Sequence, residues 1–257
     1  MPLLPAELLL LIVDAVSDCL WNSILMESRS DPRLRLRFRS ATLSACALTC
    51  RAMRKQSQSH LFYDVSLAQH IHYLRFAQAV DLSPHLASHV KRMTLVHEDS
   101  HADDLPLPPH VIARLTNVKA LMLRTSESVC DISPMFYTMA MIFAASCSSL
   151  QDLSLSRFKF PSFASVVRLV WSFPSIRSVM LAMLTWEEPS GGIPSCPELY
   201  PGRCSNLKTF AVCERRIDLM YTVLTHSLEF PRTYSSSVSP TGTWISLHAC
   251  GELKSGT

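Results

Sequence analysis

Glycine is scarce in this chain, with six in 257 residues. Loops that cradle phosphate bring backbone amides close to a ligand and lean on glycine to do it. That scarcity goes with the absence of a G-x-S-x-G elbow, a P-loop and a dinucleotide fingerprint, so the familiar nucleotide-binding and serine-hydrolase signatures are excluded. A disulfide-stapled secreted scaffold is excluded as well. The nine cysteines are odd in number, form no C-x-x-C pair and belong to a chain too long to need stapling. Asn22, Asn117 and Asn206 all lack the hydroxyl residue two positions on that a glycosylation sequon requires. No apolar run reaches the roughly 18 residues of a membrane span. The start, Met1-Pro2-Leu3-Leu4-Pro5, has no basic region of the signal-peptide kind, and its apolar run is bracketed by Glu7 and Asp14. The expectation is an intracellular protein, cytoplasmic or nuclear, with reduced and mostly buried thiols and no membrane partner.

Apolar residues are 48% of the chain and charged ones 18%, which argues for a large core and against disorder over most of the length. The net charge of +3 is too small to imply nucleic acid. Its distribution is uneven. Residues 1–28 hold Glu7, Asp14, Asp18 and Glu27 with no base, whereas residues 29–55 hold eight bases against Asp31 alone. The run Arg33-Leu34-Arg35-Leu36-Arg37-Phe38-Arg39 alternates strictly. It reads as a solvated loop; a short strand with one cationic face and a nuclear-import-like run are the alternatives. Nucleic acid is not expected as a partner, because a short arginine run with the single aromatic Phe38 and no known nucleic-acid-binding fold is thin evidence for it.

Two apolar segments flank that basic stretch. Leu4, Leu8, Leu11, Ile12 and Ala15 recur at helical spacing, with Pro5 suited to a first turn and Glu7 to the helix dipole. Leu43, Cys46, Ala47, Cys50, Met53 and Ser57 place a second stripe on one helical face. Two helices this short cannot make a core alone and must pack on each other and on something further. The opening Leu4-Pro5-Ala6-Glu7-Leu8-Leu9, with Leu10–Ile12 behind it, resembles the first half of an F-box. Leu43 to Arg54 resembles the closing helix, matching at Cys50 and Arg51 and carrying Met53 where tryptophan is usual. The continuation from Ser57 through Leu67 resembles F-box proteins of mushroom-forming fungi. The resemblance implies a helical module over residues 1–62, with a basic insert at 17–42, that docks a Skp-type linker subunit and through it a cullin scaffold. The docking residues it implies are Leu4, Pro5, Glu7, Leu8, Ile12, Leu43, Cys46, Ala47, Cys50, Arg51 and Met53.

A repeat begins where that module ends. The pattern apolar-x-x-apolar-x-apolar occurs at Phe62/Val65/Leu67, Val90/Met93/Leu95, Val118/Leu121/Leu123, Leu150/Leu153/Leu155, Ile176/Val179/Leu181 and Leu207/Phe210/Val212, in steps of 28, 28, 32, 26 and 31 residues. In the last five copies a polar residue precedes it (His89, Asn117, Ser149, Ser175, Asn206) and Lys91, Lys119, Gln151, Arg177 or Lys208 follows its first position. Helical stretches lie between copies at Gln69–Val80, Pro109–Leu115, Pro134–Ala145 and Ser162–Phe173, with another after the last at Arg216–Leu228. A strand and a helix per period resemble a leucine-rich repeat, in which each unit buries its apolar side only against its neighbour. The asparagine or cysteine expected three residues after the final apolar position is instead Glu98, Ser126, Phe158, Leu184 or Arg215, so the repeat is irregular. The aromatics of Arg157–Phe163 and Arg168–Pro174 read as core. Residues 187–206 read as a long loop. Residues 231–257, rich in Ser, Thr, Pro and Gly, read as a poorly ordered tail without a recognisable end cap, with Trp244 and Leu247 marking a frayed strand.

The fold expected is therefore α/β: a helical F-box followed by an irregular leucine-rich-repeat-like solenoid over 63–230. The function expected is a non-enzymatic substrate-recognition adaptor of an SCF-type (Skp–cullin–F-box) ubiquitin ligase, without cofactor or metal, holding an unidentified target on its repeats. The alternatives are an interaction scaffold without linker docking and a zinc hydrolase. The latter rests on His97-Glu98-Asp99-Ser100-His101, which satisfies H-E-x-x-H. That chemistry needs both histidines on one helical face, whereas this stretch follows a predicted strand and runs into Pro106, Pro108 and Pro109, so a polar loop is expected. His70 and His72 sit two apart in a helical stretch and cannot pinch one ion.

Overall fold

The computed structural model describes residues 6–26, 32–49, 51–97, 107–126, 129–186, 206–213, 234–239 and 242–248. Three helices open the chain: α1 (Ala6–Met26), α2 (Pro32–Thr49) and α3 (Arg51–Tyr63). Strands and helices then alternate. They are β1 (Asp64–Leu67), α4 (His70–Leu82), β2 (Arg92–His97), α5 (Pro109–Arg114), β3 (Ala120–Thr125), β4 (Cys130–Asp131), α6 (Pro134–Ser146), β5 (Asp152–Ser156), β6 (Phe158–Phe160), α7 (Phe163–Trp171), β7 (Ser178–Ala182), β8 (Thr185–Trp186) and β9 (Thr209–Cys213). A 3-10 helix at Pro84–His89 links α4 to β2. Strands β10 (Tyr234–Ser239) and β11 (Gly242–His248) follow.

The chain is α/β with a mostly parallel sheet in the order β1-β2-β3-β5-β7-β9-β11-β10. The last two positions of each of the six apolar triplets lie in register across it. Val65, Met93, Leu121, Leu153, Val179 and Phe210 are successive partners, and so are Leu67, Leu95, Leu123, Leu155, Leu181 and Val212. Both rows face one core with buried residues of α4, α5, α6 and α7. A slip of one residue would turn either row to the other face, so the register is held by burial, at about 2 kcal/mol for each large side chain.

The polar and basic flanks have a structural reason. Lys91 N–H donates to the Tyr63 carbonyl, and the Lys91 carbonyl accepts from Lys119 and Ala120. Asn117 Nδ2 donates to the Ser88 carbonyl at 3.0 Å, and Ser149 Oγ reaches the carbonyls of Thr116 at 2.6 Å and Val118 at 2.9 Å. Each turn thus satisfies carbonyls of the turn before it. Helix starts are equally local. Ser133 accepts from Phe136 N–H at the start of α6, and Ser162 accepts from Ser165 N–H at the start of α7.

A second, three-stranded parallel sheet, β4-β6-β8, was not anticipated. Arg157 and Met183, at φ of 64° and 52°, turn the chain from β5 into β6 and from β7 towards β8. These turns carry Phe158 and Leu184 into the core at the positions where the repeat pattern calls for asparagine or cysteine. Lys159 and Asp131, partners in this sheet, pair at 3.3 Å.

Several expectations need correction. Most of the stretch read as a basic insert is helical: α1 runs on to Met26, and α2 begins at Pro32 and takes in Arg33–Arg39. Arg and Leu are strong helix formers and Pro32 suits a first turn, which outweighs the period-2 pattern. The second F-box-like segment is not one helix, since α2 stops at Thr49 and α3 starts at Arg51. Within the segment read as a poorly ordered tail lies a hairpin, and its second strand, β11, takes in Trp244 and Leu247, where a frayed strand was expected. In the hairpin β10 pairs with β11 antiparallel, and β11 pairs with β9, giving the parallel array an antiparallel end. Such an end covers an edge that would otherwise offer unpaired backbone groups. The loop expected at 187–206, save Asn206, and the helix expected at 216–228 lie outside the described residues.

Candidate docking surface

The first three helices have a small core of their own. It consists of Val13, Leu43 and Met53, with Leu9, Val16, Cys46 and Leu61 packed against it. Leu9, Val13 and Val16 recur at helical spacing, so they define the inward side of α1. The segment from Leu8 to Val13 is apolar throughout, so a helix there carries more apolar surface than one contact can cover. The excess is exposed: Leu8, Leu10, Leu11 and Ile12 face outward, Leu11 at 61%, and Leu48 near the end of α2 is 82% exposed. The stripe Leu8, Leu11, Ile12 and Ala15 expected from periodicity is therefore the open side of α1, and its buried side is one step away.

Polar contacts hold α1 against α3. Asp14 Oδ1 accepts from Gln56 Nε2 at 2.7 Å and lies 2.7 Å from His60 Nε2. The hydrogen bond from Gln56, then that with His60, hold the Asp14 carboxyl below its ordinary value against the opposing effect of burial, and the charge of His60 adds to them. Thr49 Oγ1, at the end of α2, donates to the Cys46 carbonyl at 2.7 Å and to Met53 Sδ at 3.3 Å, bracing the corner between α2 and α3. Helix α3 joins the two cores: Met53 and Leu61 belong to the small one, while Phe62 packs against the large one.

The residues singled out in the sequence divide into groups. Glu7, Leu8, Ile12 and Arg51 are exposed, and Cys46 and Ala47 are half-buried. Leu43 at 0% and Met53 at 8% exposure lie inside the small core, where they support the outer face from behind. Leu4, Pro5 and Cys50 lie outside the described residues. Periodicity missed the exposed Leu48, and it missed the Asp14–Gln56–His60 contact, which joins residues distant in sequence and leaves no local pattern.

The H-E-x-x-H stretch is placed only in part. His97 ends strand β2, not a helix, and is buried with its ring 5.0 Å from that of Phe136 and 6.3 Å from that of Phe158. His101 lies outside the described residues. Among the described residues, no three His, Cys, Asp or Glu come together as metal ligands, and no helix is long and apolar enough to cross a membrane. No family model and no curated protein matches the chain.

Proposed function

We propose that this chain is a substrate-recognition adaptor of an SCF-type ubiquitin ligase. Helices α1–α3 act as an F-box that docks a Skp-type linker, and the sheet array, read as an irregular leucine-rich-repeat-like solenoid, holds a target protein. One observation carries the reading: a continuous set of large apolar side chains (Leu8, Leu10, Leu11, Ile12) stands exposed on a helix whose opposite side is already packed. Exposed apolar clusters of this kind mark interaction surfaces. The F-box resemblance of the same segment names the partner that would cover it. The braced corner at Thr49 and the shared helix α3 support a second point, that the docking face is held rigidly against the target-binding array. Catalysis of ubiquitin transfer would then rest on proximity alone, with no covalent chemistry in this chain.

The test is capture of a purified Skp-type linker by the immobilised chain. Wild type is expected to retain the linker, and Leu8→Asp with Ile12→Asp to lose it without unfolding. Failure of wild type to capture a linker that a known F-box captures would overturn the reading.

A further inference from the structure

At the N-terminal ends of the parallel strands a row of backbone groups runs across the array. The Lys91 carbonyl accepts from Lys119 N–H at 2.8 Å, Lys119 from Gln151 at 2.8 Å, Gln151 from Arg177 at 2.7 Å, and Arg177 from Lys208 at 2.7 Å. Residues so connected on adjacent parallel strands stand about 4.8 Å apart, so Lys91 to Lys208 spans about 19 Å. Four of the five carry a cation. Lys119, Arg177 and Lys208 are exposed and Lys91 half-buried, and none forms an ion pair among the described residues. Four cations held in line by the backbone, from repeats 26 to 32 residues apart, are not required by the core.

The row continues at its first end. His85 and His89 stand edge to face at 6.3 Å on the 3-10 helix before Lys91. Burial, then the charges of His85, Lys55 and Lys91, push the His89 pKa down, so positive charge extends to this end of the row.

We propose that this row docks an acidic, extended segment of a protein partner. An extended chain places alternate side chains about 6.8 Å apart, so three or four carboxylates on one side match the length of the row. Nucleic acid and anionic membrane fit less well, because the row is interrupted. Its central position is the neutral Gln151, followed by exposed Asp152, and Asp64 lies opposite Arg92 in the neighbouring pair of strands. A uniform polyanion would meet those carboxylates, whereas a peptide can place a neutral or basic residue there. This inference does not rest on linker docking by α1. It assigns a chemistry to what the array holds.

The probe is a fluorescein-labelled peptide of alternating Glu and Ser, titrated with the full chain at about 0.15 M salt. Saturable binding that weakens with added salt is expected, with none for the Lys/Ser counterpart. Lys119→Glu with Arg177→Glu should weaken it at least about tenfold, with circular dichroism confirming the fold. Gln151→Lys, which completes the row, should strengthen it about threefold, a gain that misfolding cannot produce. Absence of saturable binding overturns the proposal, and so does binding indifferent to both variants. Tighter binding of duplex DNA or phosphatidylserine vesicles through the same residues would also overturn it, in favour of a polyanion.

Discussion

His60 Nε2 on α3 lies 2.7 Å from Asp14 Oδ1 on α1, across 46 positions of sequence. Together with Gln56, this contact sets how α1 sits on the rest of the module, and therefore where its open apolar face points. Because the native pKa of Asp14 is lowered, its contribution is complete above the unfolded value of about 4 and is lost as pH falls through the native value. The side chain is 43% exposed, so screening keeps the contribution to about 0.5–1 kcal/mol. Urea unfolding of wild type and Asp14→Ala should differ by that amount at pH 7, with the gap shrinking as pH falls below the unfolded value of about 4. A gap unchanged with pH would contradict the role given to the carboxylate.

Leu43 and Leu8 belong to the same helical module but do different things. Leu43 is fully buried, so Leu43→Ala should cost about 2–4 kcal/mol and reduce linker capture only through unfolding. Leu8 is 45% exposed, so Leu8→Asp should shift stability by about 0.5 kcal/mol or less while abolishing capture. Denaturant titrations run beside capture assays separate the two. Equal loss of stability in both variants would contradict the packing described.

Met183 turns the chain at φ 52° and is exposed. A β-branched residue is poorly tolerated in that conformation, so Met183→Ile should cost about 1–2 kcal/mol and Met183→Gly about 0.5 kcal/mol or less. Thermal unfolding of the two variants checks this, and the reverse order would contradict the left-handed turn.

Cys147 is buried, its thiol donates to the Leu115 carbonyl at 3.2 Å, and burial pushes its pKa up to about 12. Thiolate is the reactive form, so iodoacetamide at pH 8 should leave Cys147 unmodified in the native chain and alkylate it in urea. Peptide mapping by mass spectrometry reads the result. Native-state alkylation at a rate like that of an exposed thiol would contradict the burial.

What the sequence could show followed from how each feature is encoded. The six triplets were legible because apolar positions of a buried strand repeat with period 2, and their partners turn out to be in register from Val65 to Phe210. The small sheet was not legible, because the turns before Phe158 and Leu184 use Arg157 and Met183 at positive φ without glycine to announce them. The open face of α1 was half legible. A run apolar on all sides reveals a surplus but not which side tertiary packing leaves uncovered, and Leu9, Val13 and Val16 took the inward place. Alternating Arg and Leu at 33–39 suggested a loop or strand, yet they lie in a helix, since an isolated strand would have had no neighbour to pair with. Of the hairpin, β11 was legible from Trp244 and Leu247, whereas serine-rich composition obscured β10 and its pairing.

The central claim is that the exposed side of α1 docks a Skp-type linker. Isothermal titration of the full chain with that linker tests it most directly. A one-to-one complex with Kd of about 1 μM or tighter is predicted, at least about a hundredfold weaker in the variant carrying both Leu8→Asp and Ile12→Asp. No heat of binding with wild type, or equal affinity in the variant, would contradict the account.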